Sequence, residues 1–194
     1  NFWPPVYSGI EKRSLMESQI SFFSSFALND IFFMAEAAWR TLLISVISIS
    51  IGTLLGSMFG WMLSEGRYLA MVAVAPILDI FRSVPLIIQL VLFYNFAPII
   101  GFDLDAFQSG LVILTLYTAA LVANVVRSGI ASVGIPMRRA SRSLGMRYWQ
   151  DLFYVVLPIG VRAIFPSWVG VALGVLEDSA LVSVLGYVEL LRAS

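Results

Sequence analysis

Four polar side chains that could contact a solute interrupt otherwise apolar stretches of the sequence: Gln89, Asn124, Glu177 and Asp178. A polar group inside a membrane is costly, so it either bonds to a neighbouring helix or faces a polar cavity. For Gln89 and Asn124 the ordinary role is an interhelical hydrogen bond. For Glu177 and Asp178 it is solvation at the membrane surface. The functional alternative is that these groups line a polar pathway through a helix bundle.

Most catalytic chemistry is excluded by the residue types that the chain lacks. It has no His, no Cys and a single lysine, Lys12. A Ser-His-Asp triad, a thiol nucleophile, a disulfide and the usual zinc sites are therefore excluded. No glycine-rich loop ends in Gly-Lys-Ser/Thr, so the chain carries no Walker A site for ATP. We predict no catalytic residue, no metal site and no cofactor in this chain.

The composition indicates a membrane protein. Of 194 residues, 59% are hydrophobic and 12% are charged, and the mean hydropathy is +0.90. A soluble domain carries about 25% charged residues. The 12 basic residues balance 12 acidic ones, which argues against a partner made of nucleic acid because such a partner needs a basic face.

Four stretches are long enough to cross a bilayer core of about 30 Å, which takes roughly 20 residues of helix: 41–64, 68–100, 106–127 and 152–176. Pro76 and Pro85 predict a kink in the second span, and Pro158 and Pro166 predict kinks in the fourth. The chain is therefore predicted to be an all-α membrane protein with four visible spans.

The arginines predict the orientation. Five of them lie at the end of the third span or in the loop that follows it, at positions 127, 138, 139, 142 and 147. The positive-inside rule assigns that loop, 128–151, to the cytoplasm. Asp103 and Asp105 then face outward. An even number of spans places both termini outside, so we expect a fifth span to follow Ser194.

Two regions differ in composition. Residues 1–40 include the phenylalanine-rich segment Gln19–Trp39, which carries Asp30 and Glu36 and is predicted to be a helix lying at the outer membrane surface. Residues 41–194 form the transmembrane domain.

Glycines recur every four residues in two of the spans. The first span contains Gly52, Gly56 and Gly60, and the fourth contains Gly170 and Gly174. Small residues on one face let two helices approach closely in lipid. The pattern predicts packing within one bundle, or contact with a second subunit.

The arginine-rich loop contains a short helix pattern. Met137, Ala140 or Ser141, Leu144 and Tyr148 recur at helical spacing, and Gly145 is placed to end the helix. Such a helix is too short to be stable alone, so it needs lipid headgroups or a protein partner. A solvated basic loop is the alternative.

The spacing of this loop resembles that of a known family. Arg139-Ala140-Ser141, three residues, Gly145, nine residues and Val155-Val156-Leu157-Pro158 is similar to the Glu-Ala-Ala loop of ABC-importer permease subunits of the polar amino-acid (histidine, glutamate and glutamine) uptake group. Segments 81–90, 117–130 and 178–190 are also similar to that group. The resemblance covers residues 37–191.

The resemblance implies a type I ABC importer fold in the bacterial inner membrane, surrounded by lipid. It implies a second permease subunit, ABC ATPase subunits that bind ATP and Mg²⁺, and a periplasmic or lipid-anchored solute-binding protein. The loop helix would be the coupling helix, which docks on the ATPase through residues 138–146: Arg138, Arg139, Ala140, Ser141, Leu144, Gly145 and Met146.

The chain departs from the family pattern at several positions. Arg139 replaces a Glu and Ser141 an Ala, which implies either a partner with a matching acidic cleft or weak coupling. Asn124 stands where the group usually has Glu, Glu177 where it often has Lys, and Ser179 where Thr is usual. These positions, with Gln89 and Asp178, are expected to line the substrate path, and the acidic pair favours a cationic solute.

Two other functions remain open at this stage. A lone secondary carrier or channel would use Asp79 or Glu177 for ion coupling. A degenerate permease would act as a regulatory subunit without transport.

Overall fold

The computed structural model describes residues 28–64, 66 and 72–182. Contacts divide the chain into two units, 1–40 and 41–194. The described residues form seven α-helices and no strand: α1 (Leu28–Ser64), α2 (Ala75–Ser83), α3 (Leu86–Phe96), α4 (Ala106–Ser132), α5 (Ile135–Ser143), α6 (Tyr148–Asp151) and α7 (Leu157–Asp178). A π-helical turn, Leu152–Val156, joins α6 to α7, and 3₁₀ turns lie at Pro98–Ile100 and Ser179–Leu181.

Three helical segments are long and apolar enough to cross a membrane: Ala38–Ser64, Ala106–Ser132 and Tyr148–Leu181. They confirm the predicted first, third and fourth spans. Residues 28–39 of the predicted surface helix belong to α1, whereas residues 19–27 lie outside the described part of the chain. So do 183–190 of the last family-like segment, and the expected fifth span lies beyond Ser194.

The predicted second span consists of two helices, and the prediction of a simple kink understates the bend between them. The axes of α2 and of the helical segment Leu86–Ile100 are bent by 107°. Val84, which precedes Pro85, has the extended backbone that a following proline favours (φ −88°, ψ 130°), so the helix ends there. Pro76 does not kink the helix; it lies in the first turn of α2, where a missing N–H costs nothing. Residues 68–71 lie outside the described residues.

The fourth span runs without interruption past both of its prolines. The N–H of Leu157 bonds to the carbonyl of Leu152, five residues earlier, in the π-helical turn. Pro158 occupies the first turn of α7, and Pro166 lies inside the helix. The helical run begins at Tyr148 and the preceding long helix ends at Ser132, so helix extends into both ends of the predicted loop 128–151.

Helix α4 is the centre of the bundle. It packs against α7, α3 and α2, and the side chains of Leu114, Thr118 and Val122 are almost completely buried. The glycines of α1 lie against residues of α4, and residue numbers rise in the same direction along both helices, so α1 and α4 are parallel. The C-terminal ends of α1 and α4 therefore lie on the same side of the bundle, where the indole nitrogen of Trp61 donates to the Tyr148 hydroxyl at 3.0 Å.

Candidate translocation path and coupling helix

The short helix of the arginine loop, α5, has defined signals at both ends. Pro136 lies in its first turn, after Gly134. At its other end Gly145 has a φ of +79°, the left-handed conformation that glycine adopts most easily. The N–H of Gly145 bonds to the Arg142 carbonyl at 3.0 Å and the N–H of Met146 bonds to the Ser141 carbonyl at 3.2 Å. These two bonds are the Schellman cap, so Gly145 ends the helix as predicted.

Helix α5 has an outer face that is apolar and basic. Among its apolar residues, Ile135 is 67% exposed and Met137 52%, and Leu144, directly after the helix, is 79% exposed. Of the residues predicted to dock on an ATPase, Arg139, Ala140, Leu144 and Gly145 are exposed and Met146 is half-buried. Exposed apolar side chains beside arginines are typical of a surface that contacts a partner.

The inner face of α5 is attached to the base of the fourth span through a buried carboxylate. Asp151 has no exposed surface. Its Oδ2 atom lies 3.2 Å from Nε of Arg138, and the Ser141 hydroxyl donates to its Oδ1 atom at 2.5 Å. Arg138 and Ser141, both predicted to dock on the partner, thus bind Asp151 from within. Sequence reasoning missed Asp151, although an acidic residue at the edge of an apolar run and near five arginines was a visible signal.

A polar pair joins α2 to α4. With its amide turned so that the oxygen faces the guanidinium, Asn124 accepts hydrogen bonds from Nη1 and Nε of Arg82, the latter at 3.1 Å. Arg82 also lies 3.5 Å from the Asp79 carboxylate, although Asp79 is largely exposed. In this orientation the amide NH₂ of Asn124 is available as a donor.

Asn124 opens onto a polar groove between α4 and α7. The groove has a volume of about 360 Å³ and is lined by Asn124, Val125, Ser128, Gly129, Ser132, Ala163, Ile164 and Ser167. The hydroxyls of Ser128 and Ser132 donate to carbonyls of their own helix at 2.8 and 2.7 Å, which leaves their oxygens as acceptors. Sequence reasoning missed these serines, although positions 124, 128 and 132 recur every four residues on one helix face.

Gln89 lies at the break in the second span and not in this groove. Its amide nitrogen donates to the carbonyls of Phe81 at 2.7 Å and Val84 at 2.6 Å. Its carbonyl oxygen is buried and has no partner among the described residues. Gln89 therefore stabilises the bend between α2 and α3.

The remaining residues predicted for the substrate path lie near the other end of α7. Glu177 is exposed, Asp178 is half-buried, and Ser179 is buried with its hydroxyl donating to the Leu176 carbonyl at 2.6 Å. Ten residues separate Ser167 from Glu177, which is about 15 Å of helix. The structure thus separates the predicted path residues into two levels.

The two sets of glycines have different surroundings. A β-carbon on Gly52, Gly56 or Gly60 would lie 2.5–3.1 Å from atoms of α4, so these glycines allow α1 to pack closely on α4 within the chain. A β-carbon on Gly170 or Gly174 would meet nothing within 4 Å among the described residues. The first set packs inside the bundle, and the second set lies open.

A membrane bundle that holds a polar groove, a broken span and a capped helix on its arginine-rich side defines a multi-pass transport permease. Residues 52–191 match the family described as the binding-protein-dependent transport system inner membrane component. The chain belongs to this family.

Similar proteins include permeases of glutamine transporters. The chain is 31% identical over 157 residues to a probable glutamine ABC transporter permease protein, GlnM, of Bacillus subtilis (80% of this chain, 72% of the relative). It is 33% identical over 164 residues to a putative glutamine transport system permease protein, GlnP, of Rickettsia conorii (84% and 75%). The GlnP protein of Escherichia coli K12 is 27% identical over 161 residues (82% and 74%).

Two crystal structures have the same fold. An amino acid ABC transporter with histidines matches with a TM-score of 0.72 and 27% identity, over 84% of this chain and 78% of the other. The MetNI methionine ABC transporter in an inward-facing conformation matches with a TM-score of 0.68 and 25% identity, over 80% and 76%.

These matches confirm the resemblance seen in the loop and the predicted type I ABC importer fold. The chain is a multi-pass membrane permease, and its role is that of a transport subunit of an ABC importer. Membership of the family implies an ATPase and a substrate-binding protein as partners.

Proposed function

We propose that this chain and a second permease subunit, identical or homologous, form the path by which an amino acid or a related small polar solute crosses a bacterial inner membrane. The proposal is supported by the glutamine permeases among the similar proteins. ATP and Mg²⁺ are bound and ATP is hydrolysed on separate subunits, and a periplasmic or lipid-anchored protein delivers the solute.

The observation that carries the solute class is the contact of Arg82 with Asn124, which is one of the residues that line the polar groove. A guanidinium presents several N–H donors in one plane and binds carboxylates well. The free NH₂ of Asn124 adds a further donor, and the groove serines add acceptors. Donors on Arg82 and Asn124, together with acceptors on the groove serines beside Asn124, suit a solute that carries both a carboxylate and an ammonium group.

The acidic residues at the other end of α7 belong to the same path in this proposal. Glu177 and Asp178 would attract the cationic end of a solute before it reaches Arg82, and Ser179 supports them from the following turn. Gln89 contributes indirectly, because it holds the bend at whose edge Arg82 lies.

Helix α5 is proposed to be the coupling helix. Leu144 and Met137 would enter an apolar socket on the ATPase, and Arg139 and Arg142 would meet carboxylates at its rim, since all four are exposed on this side. The cleft of about 430 Å³ beside Leu144, Gly145 and Met146 gives room for a partner side chain. Because the family's usual Glu is Arg139 here, the matching socket has the opposite charge.

The open glycine face of α7 is proposed to meet the second permease. Gly170 and Gly174 have no neighbour within 4 Å among the described residues, and glycines four residues apart allow close helix contact in lipid. Lipid covers the remaining apolar surface of the spans.

Purification of the tagged full-length chain in mild detergent, followed by mass spectrometry of the bound proteins, tests the assembly. We expect a P-loop ATPase and one or two permease chains. A homo-oligomer without an ATPase would overturn the proposal and favour a secondary carrier or channel.

The solute class is tested with the purified complex in liposomes and its binding protein. We expect ATP hydrolysis to rise with one or a few amino acids from a panel of the twenty. Stimulation by sugars or metal ions but by no amino acid would contradict the proposed solute class. A complex that no solute stimulates would point to a regulatory permease.

A further inference from the structure

We propose that Asp151 is a positioning residue that makes α5 and the fourth span move as one rigid body. The inference rests on the proposed docking of α5 on an ATPase. It assigns a task to a residue outside the docking surface. Asp151 touches neither partner nor solute, and acts by fixing the helix that does.

The attachment has two points. One carboxylate oxygen of Asp151 binds Arg138 at 3.2 Å and the other accepts from Ser141 at 2.5 Å. Arg138 and Ser141 are three residues apart and therefore lie on one face of α5. Two bonds from one carboxylate to one helix face restrict both rotation of the helix about its axis and sliding along it. Within the described part of the chain, this is the only ion pair between α5 and another element.

The covalent connection alone leaves α5 free to turn. Only residues 144–147 lie between α5 and α6, and Gly145 is among them in a left-handed conformation. Such a link acts as a hinge unless a side-chain contact joins the two helices on either side of it. Asp151 of α6 makes that contact with Arg138 and Ser141 of α5. Asp151 is the last residue of α6 and is followed directly by the π-helical turn that leads into α7. A displacement of α5 thus reaches α7 through a short and buried path.

The ion pair between Arg138 and Asp151 also determines which arginines of α5 are available to a partner. The inward Arg138 is held by a carboxylate that is completely buried, so the basic charge offered to a partner comes from Arg139 and Arg142 on the exposed side. Ser141, which stands where the family has alanine, supplies the hydroxyl that the carboxylate needs. In this chain the hydroxyl and the carboxylate therefore act together.

The test uses the whole transporter, with its ATPase and binding protein, in liposomes. The variant Asp151→Asn keeps the size of the side chain but removes its charge, and Asp103→Asn is the matched control in the exposed loop before α4. We expect the solute transported per ATP hydrolysed to fall by about tenfold with Asp151→Asn, the effect of losing one strong charge-assisted hydrogen bond. Basal ATP hydrolysis and co-purification of the ATPase are expected to stay within about twofold of the unaltered complex, because in this proposal Asp151 contacts neither the ATPase nor ATP.

A change in this ratio separates coupling from folding, because a merely unstable complex loses transport and hydrolysis together. The exchange variant Arg138→Asp with Asp151→Arg restores an ion pair with reversed direction, and we expect it to recover most of the ratio. If both of these variants fail to assemble, Ser141→Ala decides, because it removes only one hydroxyl and is expected to lower the ratio by a smaller amount.

The inference is overturned if Asp151→Asn transports as much solute per ATP hydrolysed as the unaltered complex. If the Asp151 variants do not assemble, it is overturned by an unchanged ratio of transport to hydrolysis in Ser141→Ala. The outcome is distinct from failure of the proposed function, since in that case the unaltered chain would bring down no ATPase. An ATPase that is bound and normally coupled in Asp151→Asn contradicts only the role of Asp151.

Discussion

Gly129 of α4 and Gly160 of α7 face each other where the third and fourth spans cross. A β-carbon on Gly160 would lie 3.2 Å from the carbonyl oxygen of Gly129, and one on Gly129 would lie 3.3 Å from the Gly160 carbonyl and closer still to the Ile164 side chain. The backbones of the two helices are therefore in direct contact. The crossing fixes the wall of the polar groove, which Gly129 and Ile164 both line.

The crossing predicts which glycines are needed for stability. We expect Gly129→Ala or Gly160→Ala to lower the free energy of unfolding by about 1–3 kcal/mol, because the added methyl forces the helices apart. The measurement is the melting temperature in detergent. Gly134→Ala is the control, since a β-carbon there would meet only Pro136 at an ordinary 3.5 Å and the φ of Gly134 is −54°. Equal melting temperatures for the Gly160 and Gly134 variants would contradict the prediction.

The bend of the second span depends on an amide donor. We expect Gln89→Glu to destabilise the protein, because a carboxylate cannot donate to the carbonyls of Phe81 and Val84. The loss is about 1–3 kcal/mol for each buried group left unpaired. Gln150→Glu is the matched control, since the Gln150 side chain accepts from the Arg147 N–H at 2.8 Å and a carboxylate can do the same. A normal melting temperature for Gln89→Glu would show that the bend is held in another way.

The end of α5, the proposed coupling helix, requires glycine. We expect Gly145→Ala to weaken coupling and Gly145→Trp to abolish solute-stimulated ATP hydrolysis while the bundle stays folded. A left-handed residue other than glycine costs about 1–2 kcal/mol, and the indole would in addition occupy the docking surface. Gly134→Trp is the control at the start of the same helix, where φ is an ordinary −54°. The measurement is stimulated hydrolysis in the complex, and unchanged hydrolysis in Gly145→Trp would remove the docking assignment.

The groove predicts a specific transport defect. We expect Arg82→Gln to raise the KM for uptake by about tenfold or more, as the loss of a charged hydrogen bond to a carboxylate requires. Asn124→Glu should also reduce uptake, because its carboxylate would neutralise the guanidinium that Asn124 now contacts. Arg127→Gln, an exposed arginine near the end of α4, is the control. An effect of Arg127→Gln as large as that of Arg82→Gln would indicate a general loss of basic charge.

Much of the fold follows from simple regularities in the sequence. Apolar runs of at least 20 residues with at most one charge predict spans because a bilayer core excludes charge, and three of them, 41–64, 106–127 and 152–176, appear with shifts of a few residues at their ends. The helix that ends at Gly145 was predictable because spacing and a glycine cap are local signals. The family followed from the loop spacing together with the similar segments 81–90, 117–130 and 178–190, even with Arg139 in place of the usual Glu.

The contacts between helices were harder to predict from the sequence. The 107° bend depends on Val84, Pro85 and the amide of Gln89 together, whereas a proline by itself predicts only a kink. Two contacts join residues on different helices: Arg82 with Asn124, and Asp151 with Ser141. The packing of the helices determines that these residues are neighbours. The sequence shows that a polar group needs a partner, but it does not show which one.

The glycines of α1 make a seam that repeats. Gly52, Gly56 and Gly60 meet Thr118, Val122 and Val126, so glycines and β-branched residues both recur every four residues. A slide of four residues, about 6 Å, would set Gly52 against Val122 and Gly56 against Val126 and leave two of the three contacts filled. A contact that repeats in this way allows several alternative positions of α1 along α4, and it does not by itself determine which position is adopted. That choice falls to contacts that occur once, such as the indole of Trp168 donating to the Thr53 hydroxyl at 3.0 Å.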